Sequence, residues 1–369
     1  MSGVYISWPF CAQKCTYCNF ASGVHPASQQ QRYLRALMHE ISRQQWPWQP
    51  ETVYLGGGTP SLMGESELAA VLGSLPGAPW DECTMETAPG SLDATRVRVW
   101  KRLGINRVSL GVQSFVEKEL RQTGRRHTAE IVAAECELLR AEGISNFNID
   151  LIAGLPHQDA RSWEESLDWV RRIHPPHASV YMLEVDEDSR LGLEILGAGG
   201  RYGAGAIPPE DTVVSNYLRA VDVFRAMSIP RYEISNFAQP GGESRHNLKY
   251  WRMEPYLGFG VDAHSCSNGC RWGNVDELGR YLSAVEGGES PATGHMLVRQ
   301  TEERFLLGLR LDEGLYCPPE SLDAGLQASV EKWIGQGLLQ QSGDRLHFTS
   351  RGVLLSNEVF ADFLGAGLP

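Results

Sequence analysis

Short apolar runs rich in β-branched residues alternate with longer segments of helical period through the first 230 residues. The runs 4–7, 52–55, 83–86, 107–110, 148–151 and 179–183 read as strands. Segments 28–45, 65–74, 93–102, 128–142, 161–172 and 211–227 carry apolar positions every three or four residues and read as helices. Six strand–helix units in succession predict an α/β fold, a partial (β/α)6 TIM-like barrel. Functional groups in such folds gather at the C-terminal ends of the strands.

The pattern then changes twice. Residues 191–209 are dense in glycine and end in Pro208-Pro209, which predicts a mobile loop. Beyond residue 240 the rhythm gives way to glycine- and aromatic-rich sequence, read as irregular. From residue 300 short helical segments precede a strand-like pair with Gly343-Asp344 at its turn. A small C-terminal helical or winged-helix-like domain is expected there. The predicted division is a core barrel at 1–240, a connecting region at 241–300 and the C-terminal domain at 301–369.

A hydrophobic share of 42% and a charged share of 21% over 369 residues are those of a soluble globular chain. The net charge of −12 argues against a nucleic-acid partner, which needs a basic face. The opening Met1–Tyr5 carries no basic segment followed by a long apolar run, and no apolar stretch reaches membrane-spanning length. A cytoplasmic location is expected, and peripheral membrane contact stays compatible with this composition.

The eight cysteines are unevenly spread. Cys11, Cys15 and Cys18 crowd into CAQKCTYCNF directly after the first strand, and the others stand at 83, 136, 266, 270 and 317. A disulfide framework would be distributed differently. Thiolates are the natural ligands of iron–sulfur clusters, and three of them on a four-iron cube leave one iron open. A structural zinc site remains the alternative, although it calls for a fourth ligand and a second pair downstream. Cys266 and Cys270 have no evident partners and are not assigned a second metal.

The segment from Tyr5 to Ser22, YISWPFCAQKCTYCNFAS, resembles the signature of the radical S-adenosylmethionine (radical SAM) superfamily. Within it, the segment is similar to the family of oxygen-independent coproporphyrinogen dehydrogenases (HemN) and HemW-type haem chaperones. The resemblance implies the radical SAM type of partial barrel. It implies a 4Fe–4S cluster on Cys11, Cys15 and Cys18, with SAM on the open iron. An electron entering the cluster then cleaves SAM to methionine and a deoxyadenosyl radical.

It also implies a set of SAM contacts at strand ends. These are Gly57, Gly58 and Thr59 in GGGTP, Glu86 in METAPG, Gln113 in SLGVQSF, Arg125 in TGRRHT and Asp150 in FNIDLIAGLP. Asp150 suits the ribose hydroxyls, and the forked donor of Arg125 suits a carboxylate. Tyr5 and Tyr17 correspond to aromatic positions against SAM. Ala88 stands where relatives usually carry Asn, Ser7 where they carry His, and Trp8 where they carry an aliphatic residue.

Three features point to the HemW-type branch. Phe20 occupies the position of a further Cys in the dehydrogenases. His246, Asn247, Tyr250 and Trp251 in HNLKYW resemble the motif linked with haem binding, in which imidazole would ligate iron and the aromatics pack on the porphyrin. The chain also begins almost at its first strand, without the longer extension expected of the dehydrogenase. His264 in LGFGVDAHS is a second imidazole to weigh, with a buried, hydrogen-bonded histidine the expected reading. The implied function is haem carriage to respiratory apoproteins, with haem as cargo and an electron donor for the cluster. Oxygen-independent coproporphyrinogen decarboxylation and radical SAM methyl transfer stand as alternatives.

Overall fold

The computed structural model describes residues 2–318 and 321–366. All six expected strands form: β1 (Gly3–Trp8), β2 (Thr52–Gly57), β3 (Glu82–Thr87), β4 (Arg107–Gln113), β5 (Asn146–Ala153) and β6 (His177–Met182). They pair in sequence order and in parallel. The six expected helices lie between and after them, at Ala27–Arg43, Glu65–Gly73, Ala94–Arg102, Ala129–Ala141, Ala160–Ile173 and Glu210–Ala226. Caps fix several starts: Asp93, Thr128 and Asp159 each accept backbone N–H groups from the first turn of the helix that follows.

The sheet continues at both edges instead of closing. Short strands β7 (Arg231–Glu233) and β8 (Asn236–Ala238) extend it beyond β6. On the other side β9 (Tyr256–Phe259) runs parallel to β1, followed by β10 (His264–Ser267), β11 (Cys270–Asn274) and β12 (Ala292–Leu297). Among the described residues the result is an open sheet of twelve strands.

The stretch after 240 is therefore regular, contrary to its irregular reading. Its strands are short and interrupted by the glycines that make their tight pairing feasible. A Cβ on Gly258 would stand 3.0 Å from the Ala263 side chain. The 191–209 stretch is also ordered by hydrogen bonds, into a helix at Arg190–Leu196 and a 3-10 turn at Arg201–Ala206. Ser189 caps that helix by accepting from the Gly192 N–H at 2.9 Å.

Strand periodicity divides the two faces of the sheet. Val4, Ile6, Trp8, Val53, Leu55, Met85, Val108, Leu110, Ile149 and Val180 are buried towards the helices. Trp8 meets Tyr33 of the Ala27–Arg43 helix edge to face, with ring centres 5.7 Å apart. The alternate positions form the inner face and are polar: Tyr5, Tyr54, Glu86, Ser109, Asp150 and Ser179 among them. TIM barrels usually fill this space with branched apolar side chains. Here the lumen has the chemistry of a binding cleft.

The C-terminal domain has the expected helical, winged character. Helices Gln300–Gly308, Ala324–Gly335, Ser350–Leu354 and Ser356–Ala366 surround β13 (Leu315–Tyr316), β14 (Leu339–Ser342) and β15 (Arg345–Phe348). The β14–β15 turn falls at Gly343-Asp344, with Gly343 at φ 57°. Ion pairs Arg231–Asp312 at 2.8 Å and Arg271–Glu303 at 2.6 Å fasten the domain to the sheet edges.

Candidate functional site: a three-cysteine loop over a polar lumen

The cysteine loop leaves the C-terminal end of β1 and is anchored from several sides. The Cys11 N–H donates to Gly23 O at 2.9 Å, and Thr16 bonds through its hydroxyl to Gln122 O at 3.2 Å. The Leu191 N–H donates to Thr16 O at 2.9 Å, so the ordered 190–206 segment braces the loop. Beneath it, GGGTP extends the β1–β2 pairing. The Gly58 N–H donates to Trp8 O and the Thr59 N–H to Phe10 O, both at 2.8 Å. A Cβ at Gly58 would lie 2.7 Å from Phe10 O, so glycine is required by the close backbone approach. Gly57 holds φ 100°, a left-handed position. In this structure Gly58 thus faces the strand leading to the cysteines.

Cys11, Cys15 and Cys18 are free thiols, each partly exposed. Burial pushes the Cys18 thiol up, the nearby Cys15 and Cys11 add to this, and a Phe20 N–H and Lys14 oppose it. Among the described residues no three His, Cys, Asp or Glu side chains converge tightly enough for a single metal ion. One zinc ion would hold its sulfurs at about 2.3 Å.

Gln113 and Arg125 meet beside the loop. Gln113 ends β4 at φ 71°, an uncommon conformation for a residue with a side chain. The Arg125 guanidinium bonds to Gly111 O and stands beside the Cys15 thiol and the Tyr17 hydroxyl. Gly111 leaves room for both side chains, since a Cβ there would be 3.2 Å from Gln113 Nε2. Gln113 Oε1 and Arg125 Nε are buried without a hydrogen-bond partner among the described residues. Burial raises the Tyr17 hydroxyl well above its usual range, with Arg125 opposing. Two orphaned polar atoms, one of them on the guanidinium beside the Cys15 thiol, fit a polar cofactor lying against the cluster.

The remaining expected SAM residues line the lumen below. Tyr54 Oη donates to Glu86 Oε1 at 2.8 Å, and Tyr5 stacks on Tyr54 with ring centres 6.0 Å apart. Tyr5 thus faces the lumen from mid-strand. Asp150 accepts from Asn148 Nδ2 at 2.6 Å and from Ser109 Oγ at 3.2 Å. Burial raises the Glu86 carboxyl to about 7, with the Tyr54 bond opposing and Asp150 adding. The inward polar residues Tyr54, Ser109, Asn148, Ser179 and Tyr181 escaped the sequence reading. The period-two alternation within TVYLG, NFNID and HASVY was the signal that marks them.

The HNLKYW helix, Arg245–Trp251, seals the opposite end of the barrel. Glu82, at the start of β3, accepts the N–H groups of Arg245 at 3.0 Å and His246 at 2.9 Å. His246 is 1% exposed, with Nδ1 2.8 Å from Thr52 Oγ1 and Nε2 2.8 Å from Tyr250 Oη. Burial, with Lys249 and Arg107 nearby, lowers its imidazole to about 3. Expected as an iron ligand, His246 has neither ring nitrogen open in this conformation. Trp251 lies under the Arg310 guanidinium at 4.4 Å, and Asn247 is half-buried on the same helix. His264, expected to be buried and bonded, has a side chain 63% exposed and 3.8 Å from Asp262. Gly273 makes that placement feasible, since a Cβ there would lie 3.0 Å from the ring.

An open parallel half-barrel whose first strand ends in a three-cysteine loop over a polar lumen defines a radical SAM protein. The radical SAM superfamily model matches residues 5–170, and the HemN C-terminal domain model matches residues 299–355. The chain is 34% identical to heme chaperone HemW of Bacillus subtilis over 99% of this chain and all of that one. It is 31% identical to heme chaperone HemW of Escherichia coli, over 98% of this chain and 97% of that one. The chain belongs to the HemW heme-chaperone family of radical SAM proteins. The solved structure of coproporphyrinogen III oxidase (HemN) from Escherichia coli superposes with a TM-score of 0.82 at 21% identity, over 98% of this chain and 89% of that one. That likeness shows a shared fold.

Proposed function

We propose that this protein is a cytoplasmic radical SAM haem chaperone that binds haem and delivers it to respiratory apoproteins. The observation that carries the cofactor half is the pair of orphaned buried atoms, Gln113 Oε1 and Arg125 Nε, the second on the guanidinium beside the Cys15 thiol. The naming of the HemW relatives as heme chaperones supports the cargo half.

In this reading Cys11, Cys15 and Cys18 hold the 4Fe–4S cluster. When bound and reduced, the cluster supplies the electron that cleaves the sulfonium bond of SAM. Arg125 pairs with the SAM carboxylate, Glu86 with its ammonium, and Asp150 accepts from the ribose hydroxyls. Gln113 supplies an amide, Tyr5 and Tyr17 form walls, and Gly57, Gly58 and Thr59 shape the floor under the loop. The 1–240 section carries this centre, 241–300 closes the base of the lumen, and the described residues of 301–369 buttress the sheet edge. Phe20, 62% exposed, offers no fourth thiol beside the cluster, which favours carriage over porphyrinogen decarboxylation.

The test is anaerobic reconstitution followed by haem titration and transfer to a haem-free respiratory apoprotein. Stoichiometric binding and transfer are expected. Conversion of coproporphyrinogen with SAM and reductant, without haem transfer, contradicts the reading.

A further inference from the structure

The floor of the lumen holds a chain of buried hydrogen bonds that starts at the HNLKYW helix. Ser244 is the N-cap of that helix and is fully buried, and its backbone N–H donates to Tyr232 Oη at 3.2 Å. Tyr232 Oη stands 3.0 Å from His177 Nε2, and His177 Nδ1 stands 2.7 Å from Asn148 Oδ1. Asn148 Nδ2 donates in turn to Asp150 Oδ1 at 2.6 Å. The chain thus crosses β7, β6 and β5 and ends on the carboxylate assigned to the SAM ribose. Strand alternation makes the route possible: Asn148 and Asp150 share the inner face of β5, and Asn148 stands opposite His177 in the β5–β6 register.

The chemistry of the partners fixes the proton on each bond. Burial raises the Asp150 carboxyl, and the donors Ser179, Asn148 and Ser109 oppose this. In its ionised form the carboxylate accepts only, so the Asn148 amide turns its nitrogen to Asp150 and its oxygen to His177. Ser179 Oγ lies 3.2 Å from that oxygen but 2.7 Å from Asn236 Oδ1, and its single proton goes to the nearer acceptor. The Asn148 oxygen therefore takes its donor from His177, which places the imidazole proton on Nδ1 and a lone pair on Nε2. Tyr232 fills that lone pair with its hydroxyl proton, while its own oxygen accepts from Ser244. His177 is 0% exposed, and burial with Arg107 nearby keeps the ring neutral. Every bond thus runs donor to acceptor in one direction, from the helix to the carboxylate. Ser109 Oγ donates to the other oxygen, Asp150 Oδ2, at 3.2 Å. With both oxygens held, the plane of the carboxylate is set, and each oxygen keeps a lone pair for a ribose hydroxyl.

We propose that His177 is a positioning residue for SAM: through Asn148 it aims the Asp150 carboxylate at the ribose hydroxyls, and Tyr232 fixes the tautomer this requires. The proposal rests on the reading of Asp150 as the ribose contact and deepens it. Without the Nδ1 proton, the Asn148 amide is free to turn over and present its oxygen to Asp150. Two acceptors then face each other, and the carboxylate swings away from the position the ribose needs. Without the Tyr232 hydroxyl, nothing holds the imidazole proton on Nδ1, and the tautomer with the proton on Nε2 produces the same clash. The chain also makes Ser244, at the start of the HNLKYW helix, the first link of the cofactor's support.

The experiment is equilibrium binding of SAM, and of analogues lacking its 2′ or 3′ hydroxyl, to the reconstituted full chain. Wild type, His177→Leu and Tyr232→Phe are compared, at matched iron content. In wild type, losing a hydroxyl bonded to Asp150 is expected to weaken binding about 10–100-fold. In His177→Leu that penalty should shrink to about threefold or less, because SAM loses affinity and the deoxy analogue does not. In Tyr232→Phe the penalty should fall at least about threefold below wild type. A His177→Leu protein that binds SAM and analogue equally more weakly, with the wild-type penalty kept, has lost structure alone and overturns the proposal. Should that variant fail to fold, Tyr232→Phe decides: a reduced penalty supports the proposal and an unchanged one overturns it. A wild-type chain that binds SAM and both analogues alike overturns Asp150 as the ribose contact, and the positioning role with it.

Discussion

His246 Nδ1 lies 2.8 Å from Thr52 Oγ1, tying the HNLKYW helix to the first residue of β2 inside the barrel. Replacing His246 by Ala removes that bond and the one to Tyr250, leaving two buried hydroxyls without partners. A loss on the order of 2–4 kcal/mol is expected. Chemical denaturation of the variant checks this. A variant of unchanged stability that cannot bind haem would show that the imidazole serves iron and not the fold.

Glu86 gives SAM binding a pH dependence. Its carboxyl stands at about 7 because burial disfavours the charged form; Asp150 adds to this, and Tyr54, a Gly57 N–H and Arg107 oppose. Tyr5 and Tyr181 also face it across the lumen. The ammonium of SAM is best held by the ionised form, which predominates above pH 7. Affinity should therefore rise as pH climbs through 7 and fall below it, approaching about tenfold per unit on the acid side. Glu86→Gln should bind weakly with a flat profile. Equilibrium titration between pH 6 and 8 measures both, and a flat wild-type profile would contradict the role given to Glu86.

Gly58→Ala tests the backbone contact under the cysteine loop. The new Cβ would fall 2.7 Å from Phe10 O and 2.8 Å from Trp8 O, both unyielding backbone atoms. A cost of about 1–3 kcal/mol and displacement of the loop are expected. Iron bound after reconstitution should drop while the far-ultraviolet circular dichroism stays native. Full iron retention would show that the loop tolerates the shift.

Arg125→Lys keeps the charge and loses the fork. Bonding to Gly111 O while also standing beside Cys15 and Tyr17 needs several donors in one plane. SAM affinity should fall by about 10–100-fold with cluster content little changed. Wild-type affinity in this variant would remove Arg125 from the cofactor contacts.

Much of this architecture is legible in the chain because local signals agree. The β1–β6 strands and their helices follow from periodicity and caps such as Asp93 and Thr128, which lie close in sequence to what they control. The cysteine loop is legible from spacing alone. The edge strands β9–β12 are not, because Gly258, Gly260 and Gly273 break any propensity signal while serving pairings with residues distant in sequence. The sealing of His246 depends on Thr52 and Glu82, more than 160 positions away, so no local pattern announces it.

The central claim is that three thiolates hold a cluster whose remaining iron takes SAM. Mössbauer spectroscopy of anaerobically reconstituted, iron-57-labelled protein tests it most directly, with and without SAM. The account predicts a 4Fe–4S spectrum in which one iron site alone changes on adding SAM, and no cluster in Cys15→Ala. A spectrum indifferent to SAM, or a full cluster surviving the loss of Cys15, would contradict it.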